Sequence, residues 1–219
     1  MTVMIHNFSR SNSIISHYLA ELRDCEIQSN PQRFRFNLKR LASAMGYEIS
    51  KGLTYSDKLV TTPLGESDSK VLNCKIVLAT ILRAGLPMHD GLLEVFDCAE
   101  SAFIAAYRQH HKDGTFEINK EYVTCPDLSG KTLILSDPML ATGSSFVKSL
   151  ESLEEHGQPG EIHIVSVIAS EYGVNHLNRL YPHVHIWVAA IDEELTAKSY
   201  IVPGLGDAGD LAFGEKLQA

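Results

Sequence analysis

The second half of the chain most constrains the fold, because short apolar runs alternate there with segments of helical periodicity from Lys75 onward. Continuous apolar runs are typical of strands buried on both faces, as in a parallel sheet whose crossovers are helices. We predict strands at Ile76–Leu82, Ala102–Tyr107, Thr132–Ser136, Ile162–Ala169 and His185–Ile191, and helices near Met88–Phe96, Ser145–His156 and Gly173–Tyr181. The predicted fold class is therefore α/β, a parallel twisted sheet flanked by helices.

Two predicted helices precede this region, and an extended arm interrupts it. Asn30 followed by Pro31 is typical of a helix start, because Asn caps free N–H groups and Pro tolerates the first helical position. That helix carries an apolar stripe and an opposite cationic face, namely Phe34, Leu38, Leu41 and Met45 against Arg33, Arg35, Lys39 and Arg40. We interpret the cationic face as solvated, with an anion site as the alternative. A second helix is predicted within Asn12–Cys25, and a β-arm in Arg108–Leu128 with Asp113-Gly114 at its turn.

Length and charge exclude several classes of protein. The 219 residues fit a single domain, 1–219. Nineteen Lys and Arg against 27 Asp and Glu give a formal charge of −8, which disfavours a nucleic-acid partner. The longest apolar runs are far shorter than the ~20 residues of a membrane-spanning helix, so no membrane partner is expected. The four widely spaced cysteines predict reduced, buried thiols, and the polar N-terminus predicts a cytoplasmic location.

The residues that carry chemistry follow the third predicted strand. Asp137 ends that strand, a loop rich in glycine and hydroxyls follows, and a helix begins near Ser145. Such a loop lies at the carboxyl edge of the sheet, where unpaired N–H groups and the helix dipole favour a phosphate. The spacings GxxxxGK[ST] and GxGxxG are missing from this loop, which argues against a nucleoside triphosphatase or a dinucleotide-binding domain. Asp137 would accept hydrogen bonds from sugar hydroxyls, but the loop alone fits a capping Asp in a common turn equally well.

Other segments favour the ligand-binding interpretation. Arg83 follows the first sheet strand and Arg108 ends the second, so both are expected at one edge, where paired N–H donors can hold a pyrophosphate. Four segments stand out: Ile-Leu-Arg-Ala-Gly-Leu at 81–86, Tyr-Arg at 107–108, Asp-Pro-Met-Leu-Ala-Thr-Gly at 137–143 and Tyr-Ile-Val-Pro-Gly-Leu-Gly-Asp-Ala-Gly-Asp at 200–210. Together they resemble the uracil phosphoribosyltransferases, of the type I phosphoribosyltransferase fold, from about Arg33 to the C-terminus. The glycine-rich tail is the most specific of the four.

The resemblance implies which residues bind phosphoribosyl pyrophosphate. Arg83, Arg108 and Asp137 are implied as the catalytic residues, with the arginines on the pyrophosphate and Asp137 on the ribose hydroxyls. The full implied set is Arg83, Arg108, Asp137, Pro138, Met139, Leu140, Ala141, Thr142, Gly143, Ser144, Ser145 and Asp207. Uracil is implied to lie under a small hood formed by the N-terminal helices and residues 192–219. Its implied contacts are main-chain groups of Ile201, Gly206 and Ala208, with Asp207 facing the sugar.

The resemblance also implies a reaction and its partners. Uracil and phosphoribosyl pyrophosphate would give UMP and pyrophosphate, as in pyrimidine salvage. Mg²⁺ is the implied cofactor, held mainly by the substrate, so no residue is assigned to the metal, and none is assigned as a general base for uracil N1. A homodimer or homotetramer is implied, with GTP as a candidate effector.

Two positions depart from the family pattern. Ser144 stands where the family usually has a second glycine, and a positive φ there would cost ~1 kcal/mol. Leu211 stands where the family usually has Lys or Arg, so a cation beside the hood is missing. A catalytically impaired nucleotide sensor or RNA-binding regulator on the same fold is the alternative function, and it requires a segregated basic face.

Overall fold

A computed structural model describes residues 5–110 and 116–216, and side chains outside 106–121. Its strands are β1 (Ile5–Asn7), β2 (Tyr55–Thr62), β3 (Gly65–Leu72), β4 (Ile76–Leu82), β5 (Glu100–His110), β6 (Phe116–Thr124), β7 (Thr132–Ser136), β8 (Met139–Leu140), β9 (Glu161–Ser170), β10 (His185–Asp192), β11 (Glu194–Leu195) and β12 (Ile201–Val202). The main sheet has the order β1-β10-β9-β7-β4-β5-β6, with β8 beside β9. Its pairs are parallel except β5–β6, which is antiparallel. This confirms the α/β class.

The α-helices are α1 (Ile14–Arg23), α2 (Cys25–Gln28), α3 (Pro31–Ser50), α4 (Leu86–Leu93), α5 (Ser144–Glu154), α6 (Glu171–Leu180) and α7 (Ala208–Phe213). Five of the seven α-helices in the described residues lie close to predicted positions, and the two short helices α2 and α7 were not predicted. The side chain of Asn30 accepts a hydrogen bond from the N–H of Arg33 at 3.0 Å, and Pro31 opens α3, as its sequence predicts. The predicted strands at Ile76–Leu82 and Thr132–Ser136 match β4 and β7 in their bounds.

Alternate residues of each central strand enter two separate cores. Leu78 of β4 packs in the core beneath α1, α3 and α4, while its neighbour Val77 packs in the core beneath α5 and α6. Both residues are fully buried. A strand covered on both faces needs apolar residues at every position, and this explains the unbroken apolar runs in the sequence.

Two hairpins extend from this body. Sequence patterning missed the first, β2–β3, whose strands carry mostly polar and exposed residues and pair only with each other. The second pairs β5 with β6, from the pair Phe103–Thr124 to the pair His110–Phe116, and so includes part of the predicted arm Arg108–Leu128. The predicted Asp113-Gly114 turn lies outside the described residues.

The cationic face of α3 is engaged by the protein's own groups, so neither sequence interpretation of it holds in full. Arg33 forms a bidentate ion pair with Glu21 of α1, and Lys39 lies 3.0 Å from Glu94. The guanidinium of Arg35 donates to the carbonyl oxygen of Ala212 on α7. These contacts join α1, α3 and α7, and within the described residues they leave no segregated basic face on α3.

The expectation of buried cysteines is wrong. All four thiols are free, but Cys25 and Cys98 are exposed, and Cys74 and Cys125 are half-buried. The cysteines lie at or near the ends of helices and strands, where their side chains are not enclosed by the core. None of the helices in the described part of the chain combines the length and the apolar character needed to cross a bilayer.

Candidate functional site

Two strand ends meet at the centre of the carboxyl edge of the sheet. β4 and β7 are neighbours, and Thr80 pairs in register with Ser136. The hydroxyl of Thr80 donates to the carbonyl oxygen of Ser136 at 3.2 Å, which fixes the two strands to each other in the buried core. Arg83 directly follows β4 and Asp137 directly follows β7. The register therefore brings both predicted residues to one edge.

The loop after β7 enters α5 through a glycine with a left-handed backbone. Gly143, the N-cap residue, has a φ of 82° and no side chain of its own to cap the helix, so the first N–H groups of α5 point out of its end without a helical carbonyl to bind. The hydroxyl of Thr142 accepts from the N–H of Ser144 at 3.3 Å and donates to its Oγ at 3.0 Å. Unpaired N–H groups, hydroxyls and the helix dipole together make this loop suitable for an anion.

Two residues that sequence reasoning missed hold this loop in place. Ser170, at the end of β9, donates through its hydroxyl to the carbonyl oxygen of Ala141 and accepts from the N–H of Gly173 at 2.9 Å. A Cβ on Gly173 would lie 2.3 Å from the oxygen of Ala141, so only glycine lets α6 approach so closely. The available sequence signal was a hydroxyl-glycine pair at the start of a predicted helix, which is also the pattern of an ordinary cap.

Asp137 has the turn-forming role that the sequence left open. It is half-buried, and its Oδ1 accepts from the N–H of Met139 at 3.1 Å. A carboxylate offers about four acceptor positions, so this bond is compatible with further hydrogen bonds from a ligand. The neighbouring Pro138, Leu140 and Ala141 are buried.

Arg83 joins the β4 end to the C-terminal tail. Its side chain is exposed to 42%, and its Nη2 lies 3.3 Å from Asp210 Oδ1 and 3.0 Å from the carbonyl oxygen of Gly214. The tail thus lies over the same edge of the sheet as the loop before α5. Arg108 pairs with Ile118 through the backbone of β5 and β6, and its side chain is outside the described part of the structure.

The tail turns back on itself before α7. Gly204 and Gly206 have φ angles of 60° and 91°, and a Cβ on Gly204 would lie 2.1 Å from the oxygen of Ile201. Asp207 caps α7 by accepting from the N–H of Asp210 at 3.0 Å. Ile201 and Ala208 are buried, while Gly206 is exposed. The predicted base-reading residues therefore lie on one short, tightly folded segment.

The structure explains the two departures from the family pattern. Ser144 is the first residue of α5, and the positive φ lies on Gly143, so Ser144 carries no backbone strain. Leu211 packs against the core beneath α3. The cation beside the tail is supplied by Lys216, whose Nζ lies 3.9 Å from Asp207 and 4.0 Å from Asp210.

A second polar cluster lies at the opposite, amino-terminal edge of the sheet. Glu161, His163 and His185 offer ligand atoms within 4.8 Å of one another. The indole N–H of Trp187, however, donates to His163 Nδ1 at 3.0 Å, so the neutral ring carries its proton on Nε2, the atom nearest Glu161. That proton occupies the position a metal would need. Burial lowers the pKa of His163 to about 3, which keeps this ring neutral.

A cavity of about 430 Å³ lies at this same amino-terminal edge, between Lys75, Lys131 and Glu161. The cavity is therefore at the opposite edge of the sheet from the loop before α5, Arg83 and the tail. Ligand sites in open α/β sheets lie outside the carboxyl ends of the strands.

Comparison with known proteins identifies close relatives of the chain. Residues 9–215 match the family model described as uracil phosphoribosyltransferase. A uracil phosphoribosyltransferase of Porphyromonas gingivalis is 50% identical over 207 residues, covering 94% of this chain and 96% of the relative. One of Pyrococcus furiosus is 39% identical over 217 residues, covering 98% and 91%. The solved structure of the AQ2163 protein from Aquifex aeolicus superposes with a TM-score of 0.87 at 32% identity, covering 98% of this chain and all of the other.

Proposed function

The chain belongs to the uracil phosphoribosyltransferase family, and from that premise we propose that it transfers the phosphoribosyl group of phosphoribosyl pyrophosphate to N1 of uracil. The products are UMP and pyrophosphate, as in pyrimidine salvage. One observation carries the proposal beyond the family match. The contact of Arg83 with Asp210 and Gly214 brings the tail over the edge that holds Asp137 and the loop before α5. Sugar-phosphate and base sites can thus adjoin.

The loop before α5 is proposed to hold the 5-phosphate. Main-chain N–H groups at Gly143 and Ser145 and the hydroxyl of Ser144, which accepts from Thr142, supply donors without a lysine, so the helix dipole provides the positive field. Asp137 accepts hydrogen bonds from the ribose hydroxyls, and its bond to Met139 fixes the carboxylate for this role. The sugar is then held with C1 oriented toward the tail.

The difficult step is the separation of charge as the bond from ribose C1 to the pyrophosphate oxygen breaks. Arg83 and Arg108 are proposed to stabilise the departing anion through paired N–H donors. For Arg83 this requires exchanging Asp210 for the pyrophosphate, and an exposed ion pair of this kind costs little to break. No residue is assigned as a general base for uracil N1.

The carboxylates at this edge suit Mg²⁺ as the proposed cofactor. Lys216 lies 3.9 Å from Asp207 and 4.0 Å from Asp210, and Asp210 also contacts Arg83, so both carboxylates belong to one charged cluster. Carboxylate oxygens are the protein ligands that Mg²⁺ prefers. A Mg²⁺ ion held beside these carboxylates would neutralise negative charge on the leaving group. Asp207 is the residue proposed to face it.

Uracil is proposed to lie against the tail segment, read by main-chain groups of Ile201, Gly206 and Ala208. Uracil presents an N–H donor between two carbonyl acceptors, and backbone groups can match that edge without side-chain flexibility. Cytosine has an amino group in place of one carbonyl and would leave a buried group unpaired. The tight backbone at Gly204 and Gly206 supports this role.

The setting of the reaction is proposed from the family. The enzyme acts in the cytoplasm as a homodimer or homotetramer, with GTP as a candidate effector. Exposed apolar side chains on the β2–β3 hairpin support a contact between copies of the chain, since Leu59 is exposed to 57% and Leu64 to 100%. Sedimentation with and without GTP tests the oligomeric state and whether GTP changes it.

The proposal is tested by incubating the protein with Mg²⁺, phosphoribosyl pyrophosphate and labelled uracil and measuring UMP. We expect Asp137→Asn to lower kcat by about 10²-fold, because a hydrogen bond to the reacting sugar is weakened in the transition state. Asp127→Asn is the matched control, since Asp127 forms the same kind of turn, accepting from the N–H of Ser129 at 3.1 Å. If Asp137 only shapes its turn, Asn will replace it as harmlessly as in the control. UMP binding without UMP formation would instead favour the sensor.

A further inference from the structure

An ion pair behind the tail segment has no role in the chemistry described so far. Arg23, the last residue of α1, donates to both carboxylate oxygens of Asp192 at 2.8 Å each. Asp192 ends β10 and is only 7% exposed, while the Arg23 side chain is 23% exposed. Bidentate pairing of this kind fixes orientation as well as distance, because two parallel bonds leave little rotational freedom.

Both partners of this pair also bind the same glycine in the tail. Asp192 Oδ2 accepts from the N–H of Gly204 at 2.9 Å, and Arg23 Nη1 donates to the carbonyl oxygen of Gly204 at 3.1 Å. The N–H belongs to the peptide plane before Gly204 and the carbonyl to the plane after it. The two peptide planes on either side of Gly204 are therefore held by one buried ion pair.

The position of Gly204 gives this contact its consequence. It lies between Ile201 and Gly206, two of the residues whose main-chain groups are proposed to read uracil. A side chain can adjust its hydrogen bonds to a base by rotating about its χ angles, but a main-chain group cannot. The geometry of base recognition by main-chain groups therefore depends on the contacts that hold their peptide planes. Gly204 has a φ of 60° and lies so close to Ile201 that a Cβ would clash with its carbonyl oxygen, so this turn requires glycine at 204.

We propose that Arg23 and Asp192 are positioning residues for base recognition, acting on the uracil-reading backbone through the two peptide planes of Gly204. This inference rests on the proposed function. The pair connects an N-terminal helix to the tail across the end of β10, so the two halves of the hood are set relative to each other by a contact that does not touch the substrate. Neither residue is remote in space, although 169 residues separate them in sequence.

The test is steady-state kinetics of Arg23→Lys. Lysine keeps the charge but cannot form the two bonds to Asp192 and the third to Gly204 together. We expect the KM for uracil to rise about tenfold or more, the equivalent of one hydrogen bond to the base. We expect kcat to change less than threefold, and the KM for phosphoribosyl pyrophosphate to stay within twofold, since the loop before α5 is held by other contacts.

Arg33→Lys is the matched control. Arg33 of α3 forms a bidentate pair with Glu21 of α1, at 2.8 and 2.7 Å, and these two bonds do not involve the tail. The same substitution therefore removes a similar ion pair from the hood without releasing Gly204. Amide hydrogen exchange of the Gly204 and Gly206 N–H groups is expected to speed up in Arg23→Lys and not in Arg33→Lys.

The possible outcomes separate the inference from the proposed function. An unchanged KM for uracil in Arg23→Lys, or a loss of activity affecting both substrates equally, overturns the positioning role. Equal effects of Arg23→Lys and Arg33→Lys on KM for uracil overturn it as well, because they would reflect general loosening of the hood. A wild-type protein that forms no UMP overturns the proposed function, and the inference with it.

Discussion

Replacing Gly173 by alanine tests how the loop before α5 is held. The added Cβ would lie 2.3 Å from the oxygen of Ala141 and 2.8 Å from that of Leu140, both backbone atoms of that loop. Backbone oxygens cannot rotate aside, so the loop or α6 must retreat by roughly 1 Å to reach van der Waals contact. Overpacking of this size costs about 1–3 kcal/mol of stability. A 1 Å displacement of a substrate-binding group can cost about 10²-fold in rate.

The assay is the dependence of the initial rate on phosphoribosyl pyrophosphate, combined with thermal unfolding. We expect kcat/KM for this substrate to fall about 10²-fold in Gly173→Ala. Gly91→Ala is the control, because its Cβ would lie 2.1 Å from the oxygen of Lys39, an equally severe clash between α4 and α3. It should lose similar stability but keep most of its kcat/KM. Wild-type kcat/KM in Gly173→Ala, or equal losses in the two variants, would refute the argument.

Three further predictions concern charged and titrating groups. Arg83→Lys should lower kcat/KM for phosphoribosyl pyrophosphate about 10-fold or more without changing the melting temperature, since exposed ion pairs contribute little to stability. Hydrogen bonds from Arg33 and Asn37 lower the pKa of Glu21 to about 2 from 4.5. The contribution of Glu21 to the free energy of unfolding is therefore present above pH 4.5 and is lost as the pH falls toward 2. Glu21→Gln should make the free energy of unfolding depend less on pH between 4.5 and 2. Burial lowers the pKa of His163 to about 3 from 6.5, so the unfolded chain takes up that proton first and stability declines from pH 6.5 downward. His163→Gln should lessen the decline between pH 7 and 5 in urea titrations, and an unchanged decline would contradict this.

Local signals in the sequence were sufficient for the five central strands β4, β5, β7, β9 and β10 and for the loop before α5, but not for β1 or β8. β4 and β7 are continuous apolar runs because both their faces are covered, and the change from such a run to Asp137, hydroxyls and glycine marks a strand end followed by a helix. The placement of Arg83 and Asp137 at one edge follows from the rule that parallel strands end on the same side. These inferences need no contact between distant segments.

The β2–β3 hairpin was missed because its residues do not alternate between a core and solvent. Nearly all of them are exposed, so neither apolar periodicity nor an apolar run is present. The exposure of Cys25 and Cys98 was missed for a related reason: cysteine is often buried on average, but its position at an element end decides the individual case.

The sequence by itself determined the class of fold and the loop between β7 and α5, since each of these depends on neighbours within a few positions along the chain. Only the tertiary structure decided which distant groups hold those segments. Ser170 and Gly173 reach the loop from the next strand and helix, and Arg23 and Asp192 meet at Gly204 from opposite ends of the chain. Hydrogen bonds of this kind act over about 3 Å in space, and no periodicity along the sequence records which residues folding brings to that distance.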